Sequence, residues 1–388
     1  MNHVLCEVRG KVGCITLIRP QALNALSLPM IRALTSCLLA WREDERIQAV
    51  AIRGSNKAGP FCAFCAGGDI RFFYHALLSG DPAPEDFFTE EYTLNHLIHS
   101  YPKPFIAFMD GVVMGGGMGL CQGHALAAPS GECEGAARLS PPASGQGGKV
   151  RLVTTRSKLA MPETAIGLFP DVGSGYFLSR CPGFAGEWLA LTGTTLNAAD
   201  AIELGLADHC LDDGRLHQAW DALANIAPLQ AGQLAAWMAE YSIVDDTIGT
   251  LDRSRIDAFF ALDSVKAIVH ALEADACDWS QRTAMQLRQR SPLMLHVVLE
   301  HIRRARHLTL AQDLRLTRDM MRHCFFPAHL ARRGRQTEAA EGIRALVIDK
   351  DNAPNWQPAR IEDVTAAMVQ PFFTSPWPSH SHPLRALT

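Results

Sequence analysis

Two carboxylates stand out in the run Ala160-Met161-Pro162-Glu163-Thr164-Ala165-Ile166-Gly167-Leu168-Phe169-Pro170-Asp171-Val172-Gly173. A solvated acidic face would have polar neighbours, whereas Glu163 and Asp171 sit among apolar residues, prolines and glycines. Pro162 and Pro170 push the residues before them, Met161 and Phe169, away from helical angles. Both acids are therefore expected in fixed, turn-like backbone. A carboxylate that loses water in such a place has its charged form disfavoured, and its pKa rises toward a range useful for proton transfer. Glu163 and Asp171 are thus candidate catalytic acids.

Two glycine-rich turns upstream give such a pair something to act on. Phe64-Cys65-Ala66-Gly67-Gly68-Asp69-Ile70 follows the apolar run Ile47 to Arg53, and Gly111-Val112-Val113-Met114-Gly115-Gly116-Gly117-Met118-Gly119 follows Phe105 to Met109. Glycine lets a backbone N–H face a ligand with no side chain in between. Two such groups converging on one carbonyl oxygen form an oxyanion hole. Each run alone fits equally well a tight turn that packs a helix close to a sheet.

In this order the motifs resemble the crotonase superfamily, whose members bind acyl-coenzyme A thioesters, and within it the 3-hydroxyisobutyryl-CoA hydrolase group. The motifs are Ala66-Gly67-Gly68-Asp69, Met114-Gly115-Gly116-Gly117, Met161-Pro162-Glu163-Thr164 and Gly167-Leu168-Phe169-Pro170-Asp171-Val172-Gly173. Phe87-Phe88-Thr89-Glu90-Glu91-Tyr92, Leu191-Thr192-Gly193, Gly205-Leu206-Ala207 and Val347-Ile348-Asp349-Lys350-Asp351 match the same group.

The resemblance implies that the Gly68 and Gly116 N–H groups hold the thioester oxygen and that Glu163 and Asp171 are the catalytic carboxylates. Glu91, Gly116, Glu163 and Asp171 would contact substrate. It implies no metal and no separate cofactor, since coenzyme A is part of the substrate; it leaves the oligomeric state open, with trimers or their multiples common in the superfamily. The implied acyl group is a short, branched 3-hydroxyacyl group, as in valine breakdown. Its fit would depend on packing among Ile70, Phe72, Tyr74 and Tyr92. Enoyl-CoA hydratases of the superfamily carry a second glutamate just past the triple glycine, where this chain has Gly119. Hydrolysis is therefore favoured, with a hydratase or isomerase as the alternative and a non-catalytic assembly role as a third reading.

The elements that must position these groups read as an α/β fold. Val12 to Ile18 reads as a buried strand, and Ser27 as the N-cap of a helix with Pro29 in its first turn. Ile31, Leu34, Leu38 and Trp41 form that helix's apolar stripe. Strands near 47–53, 105–109 and 150–155 alternate with helices in β-β-α units, which the resemblance arranges as a crotonase-like spiral. Beyond Leu211 the pattern is mostly helical, with Ser291-Pro292 opening one helix and Leu310 to His323 forming another. The expected division is a core over 1–210, a mainly helical region over 211–360 and a tail over 361–388 holding His380 and His382. An insertion at 125–148, rich in Gly, Ala, Pro and Ser, is expected as a mobile surface loop. Arg332-Arg333-Gly334-Arg335 reads as a solvated helix end in preference to a coenzyme phosphate contact.

Composition sets the outer bounds. Across 388 residues the formal net charge of −4 argues against a nucleic-acid partner, which calls for a basic excess. A hydrophobic share of 48% is ample for a buried core. No apolar stretch reaches the roughly 18 to 20 residues of a membrane span. The start, Met1-Asn2-His3-Val4-Leu5-Cys6, lacks a signal-peptide pattern, which points to bacterial cytoplasm. Eleven cysteines, an odd number, suggest buried free thiols. The Cys62-Ala63-Phe64-Cys65 spacing has no second pair to complete a zinc site.

Overall fold

A computed structural model of the chain describes residues 3–123, 148–226, 231–243 and 249–388. The expected insertion at 125–148 lies, apart from Gly148, outside the described residues. The fold is α/β and forms two compact units. One comprises Met1–Gly68, Leu94–Ala160 and Thr195–Leu251, and the other Asp69–Thr93, Met161–Thr194 and Asp252–Thr388. The units interleave along the chain, so their limits do not coincide with 1–210 and 211–360. Segments 69–93 and 161–194 group with the late helices.

All ten strands among the described residues belong to the first unit. They are β1 (Val4–Arg9), β2 (Val12–Leu17), β3 (Ala49–Arg53), β4 (Ser55–Asn56), β5 (Gly59–Pro60), β6 (Phe105–Phe108), β7 (Val112–Met114), β8 (Lys149–Val153), β9 (Lys158–Ala160) and β10 (His209–Cys210). The main sheet runs β1-β2-β3-β6-β8-β10, antiparallel only between β1 and β2. Parallel strands covered on both faces need continuous apolar runs, and every residue of β2 is buried. The register aligns Cys14, Ala51, Ile106 and Val150 in one row across the sheet. That row packs with Trp220 and Trp237 from the helices Leu216–Leu223 and Ala231–Tyr241. Gly13 faces the helix Leu28–Glu43, where a Cβ would stand 2.4 Å from the Trp41 ring. The predicted stripe Ile31, Leu34, Leu38 and Trp41 is buried. Ser27 is the N-cap residue, although its hydroxyl makes no capping bond. Two small sheets complete the unit, the β4–β5 hairpin and the parallel β7–β9 pair.

The second unit is helical. Asp69 caps the helix Ile70–Ser79 by accepting from the Phe72 N–H. Ser291 caps Pro292–Ala305, as expected from Ser291-Pro292. Leu310–Phe325 begins with a capping box in which Thr309 and Gln312 satisfy each other's backbone N–H groups. The helix Ala83–His99 supplies Glu85, which pairs with Arg322 and with the fully buried Arg318. Residues 361–388, expected as a tail, pack against the second unit's helices. Phe372 and Leu384 are buried, and His382 Nε2 lies 3.2 Å from Asp319 Oδ1. Apolar anchors separated by prolines and polar residues gave no helical or strand period to read, yet they dock all the same. Arg332 is turned inward toward the Gln357 carbonyl and Glu338, while Arg333 and Arg335 are exposed.

Candidate active site

In the first unit the two predicted glycine turns lie side by side. Cys65 forms a parallel bridge with Val113, with bonds of 2.9 Å from Cys65 N–H to Val112 C=O and from Met114 N–H to Cys65 C=O. Glycine is required at this approach. A Cβ on Gly117 would lie 2.3 Å from the Cys65 carbonyl oxygen, and one on Gly67 would lie 3.2 Å from the Met114 carbonyl oxygen. Gly67 also has φ +103°, a region side chains rarely adopt. Leu26 donates to the Gly67 carbonyl at 2.7 Å, pinning the first turn. Among the described residues, neither the Gly68 nor the Gly116 N–H donates to a backbone carbonyl outside regular structure. Gly116 opens the helical turn Gly116–Gly119, whose first amides have no intrahelical acceptor. That turn carries no acidic residue.

The second unit gathers the three predicted acids. Glu163 opens a 3₁₀ turn, Glu163–Ile166, that closes through Leu168 N–H to the Glu163 carbonyl at 3.0 Å. Gly167 ends the turn at φ +68°, and a Cβ there would strike the Glu338 carbonyl oxygen at 2.0 Å. Ser291 N–H holds the neighbouring Thr164 carbonyl at 3.2 Å. Asp171 precedes two left-handed residues, Val172 at φ +53° and Gly173 at +84°. For a β-branched valine that backbone is strained, and such strain persists only when the surroundings enforce it.

Glu163 and Asp171 are each 8% exposed, and Glu91 is 2% exposed. Burial raises the Glu163 pKa well above the usual range, and the Asp171 charge adds to the rise. Burial likewise lifts Asp171 to about 6, against the opposing hydrogen bond from Tyr92 and the charge of His301. Glu91 is raised by burial and then by the charges of Asp171 and Glu163. Glu163 Oε2 and Glu91 Oε1 are buried without a hydrogen-bond partner. Tyr92 Oη donates to Asp171 Oδ2 at 2.7 Å. Carboxyl groups that feel one another's charge in a dry site do not all ionise together. The cluster can therefore hold an ionised acid beside a neutral one, the division needed for a base or nucleophile with a proton donor.

Of the five predicted site residues, Gly116 in the first unit and Glu91, Glu163 and Asp171 in the second are buried, and Gly68, in the first unit, is half-buried. Three further residues join the acids without having been singled out for the chemistry: Tyr92 as the donor to Asp171, and the His301–Asp313 pair. Tyr92 had a signal, its place next to Glu91. His301 had none, since nothing in sequence ties a histidine 130 positions away to Asp171. Cys62 is exposed and Cys65 buried with its thiol 3.3 Å from the Asn24 carbonyl, so the pair does not act as one ligand set. No helix among the described residues is long and apolar enough to cross a membrane.

Comparison with known proteins follows the same lines. A family model described as enoyl-CoA hydratase/isomerase matches residues 12–127 and 144–373. The chain is 34% identical to a mitochondrial 3-hydroxyisobutyryl-CoA hydrolase of Gallus gallus, over 95% of this chain and 88% of the relative. It is 35% identical to the small ribosomal subunit protein mS47 of Arabidopsis thaliana, over 96% of this chain and 85% of the relative. Among solved structures, a carnitinyl-CoA dehydratase from Mycobacterium thermoresistibile superposes with a TM-score of 0.80 at 34% identity, covering 96% of this chain and 97% of the other. The bacterial cytoplasmic location expected from the N-terminus does not stand, because the chicken relative, similar over nearly the whole chain, is a mitochondrial enzyme. Compartment is set by an address outside the packed core, so the folded sequence carries no mark of it. Matched over most of its length by the family model and by a solved fold, this chain belongs to the enoyl-CoA hydratase/isomerase family, the crotonase superfamily.

Proposed function

We propose that the protein is an acyl-CoA thioester hydrolase that cleaves 3-hydroxyisobutyryl-CoA to 3-hydroxyisobutyrate and free coenzyme A, a step of valine breakdown. The observation that carries the reading is the buried Glu163 carboxyl, with an oxygen left without a partner, set beside the titratable Asp171 and Glu91. The likeness to 3-hydroxyisobutyryl-CoA hydrolases supports it. On this reading the Gly68 and Gly116 amides stabilise the oxyanion formed when the thioester carbonyl is attacked. Glu163 either attacks that carbon, giving a mixed anhydride that water cleaves, or acts as general base on the water. Asp171 orients the acyl hydroxyl or helps to protonate the leaving thiolate, and Glu91 contacts substrate. The reaction as proposed needs no metal and no cofactor beyond the coenzyme A of the substrate.

The test is thiol release from 3-hydroxyisobutyryl-CoA by the parent and by Glu163→Gln. The parent is expected to turn over, and the variant to lose about 10²–10⁴-fold in rate while still binding the CoA ester. Near-normal hydrolysis by the variant removes Glu163 from the mechanism. Label from ¹⁸O-water found in Glu163 after turnover selects the covalent route. Hydration is the second reading, favoured by the dehydratase neighbour. Loss of enoyl absorbance without thiol release would establish it. The likeness to mS47 keeps an assembly role in view, which tight CoA-ester binding with no turnover on any short acyl group would support.

A further inference from the structure

Behind Asp171 lies a buried polar pair that the proposed chemistry does not use. His301, in the helix Pro292–Ala305, and Asp313, in the helix Leu310–Phe325, are both fully buried. His301 Nε2 donates to Asp313 Oδ1 at 2.8 Å, and the other carboxylate oxygen, Oδ2, accepts the Tyr176 backbone N–H at 2.9 Å. Tyr176 belongs to the short helix Ser174–Leu178, which starts three residues after Asp171. Gly175 is what admits the pair, since a Cβ there would lie 2.2 Å from Asp313 Oδ1 and 2.5 Å from His301 Nε2. On the other side of Asp171, the Phe169 ring meets the His301 ring edge-on at 5.7 Å between centroids. The chain is thus gripped two residues before Asp171 and five residues after it, and the strained Val172–Gly173 backbone lies between the grips.

A buried pair of this kind brings little net stability, because its desolvation offsets its attraction. Its presence calls for another reason. We propose that His301 and Asp313 are positioning residues that hold the 169–176 turn so that Asp171 presents its carboxyl to the reacting group. The proposal rests on the hydrolase reading for the step that Asp171 serves. Besides Tyr92, the groups whose charge bears on Asp171 are Glu91 from the helix Ala83–His99, Glu163 from its 3₁₀ turn, His301, and Cys324 from the helix Leu310–Phe325. His301 alone among them contributes a charge that favours the ionised form of Asp171.

Three variants of the full chain separate positioning from mere packing. His301→Phe keeps bulk but loses donor and charge, His301→Gln restores an N–H donor without the charge, and Asp313→Asn keeps the shape but weakens the hold on both donors. A misplaced group in a reacting site costs up to about 10²-fold. His301→Phe and Asp313→Asn are therefore expected to lose about 10–100-fold in kcat for thiol release, with KM within about threefold. His301→Gln is expected to recover most of the kcat. Titration of Asp171 needs no turnover and is read as the carboxylate infrared band missing from Asp171→Asn. Its midpoint should rise in both His301 variants, including the rescued one. If the parent releases no thiol, the hydrolase reading fails, and the infrared titration with the circular dichroism of the turn still decides the pairing. If His301→Phe does not fold, His301→Gln and Asp313→Asn carry the test. The proposal is overturned if kcat stays within twofold of the parent in folded His301→Phe or Asp313→Asn, or if the Asp171 midpoint does not move in the His301 variants.

Discussion

Replacing Asp171 with asparagine should make the protein more stable while making it a worse catalyst. Asp171 titrates near 6 when folded, against 3.8 for the ordinary side chain, because it is buried. A raised pKa means that the folded state holds the proton more tightly than the unfolded one. Ionisation therefore costs nothing well below pH 3.8, and the cost grows as pH rises until it levels off above 6. The lift is 6 less 3.8, or about 2.2 units, and at about 1.36 kcal/mol per unit the full cost is about 3 kcal/mol. At pH 5 about half of it, roughly 1.6 kcal/mol, is already present. Asparagine carries no charge to strand, and its carbonyl still accepts from the Tyr92 hydroxyl, now 2.7 Å from Asp171 Oδ2. With about 2.1 cal/mol/K of unfolding entropy per residue, a chain of 388 residues has about 0.8 kcal/mol/K. Asp171→Asn should thus raise Tm by about 4 °C at pH 8 and by about 2 °C at pH 5, provided the chain unfolds as a whole. Calorimetry at the two pH values measures this, and thiol release measures the expected rate loss of about 10²–10⁴-fold. A Tm that falls at pH 8, or a gain that does not grow with pH, would show that Asp171 is not held in a site hostile to its charge.

Two other substitutions probe the same construction. Tyr92→Phe removes a donor to a carboxylate, a bond worth about 1.5–3 kcal/mol, so the Asp171 midpoint should climb by about 1–2 units from its value near 6. An unchanged titration would mean that the hydroxyl does not support the charge. Gly117→Ala places a methyl 2.3 Å from the Cys65 carbonyl oxygen, so the glycine turns must part. Overpacking of that kind costs about 1–3 kcal/mol, and Tm and thiol release should fall together. Full activity in that variant would show that the approach of the two turns does not matter.

The hydrophobic periods were legible where burial is continuous. β2, β3 and β6 and the stripe of Leu28–Glu43 fall within a few residues of their expected places, because a strand covered on both faces and a helix covered on one leave their periods in the residue types. The site acids were legible for a related reason. Proline and glycine around Glu163 and Asp171 dictate backbone locally, so the dry turns on which both acids stand could be foreseen without a fold.

Tertiary structure alone decided which distant groups meet them. Tyr92 reaches Asp171 across 79 positions, and Asp313 takes hold of Tyr176 across 137. Such pairings depend on how helices pack and leave no local pattern. The same cause explains why residues 361–388 dock through Phe372, His382 and Leu384, and why the two units interleave along the chain. Residue types and their order determined what chemistry the chain carries. Packing across long separations determined which acid is dry, which is braced, and by what.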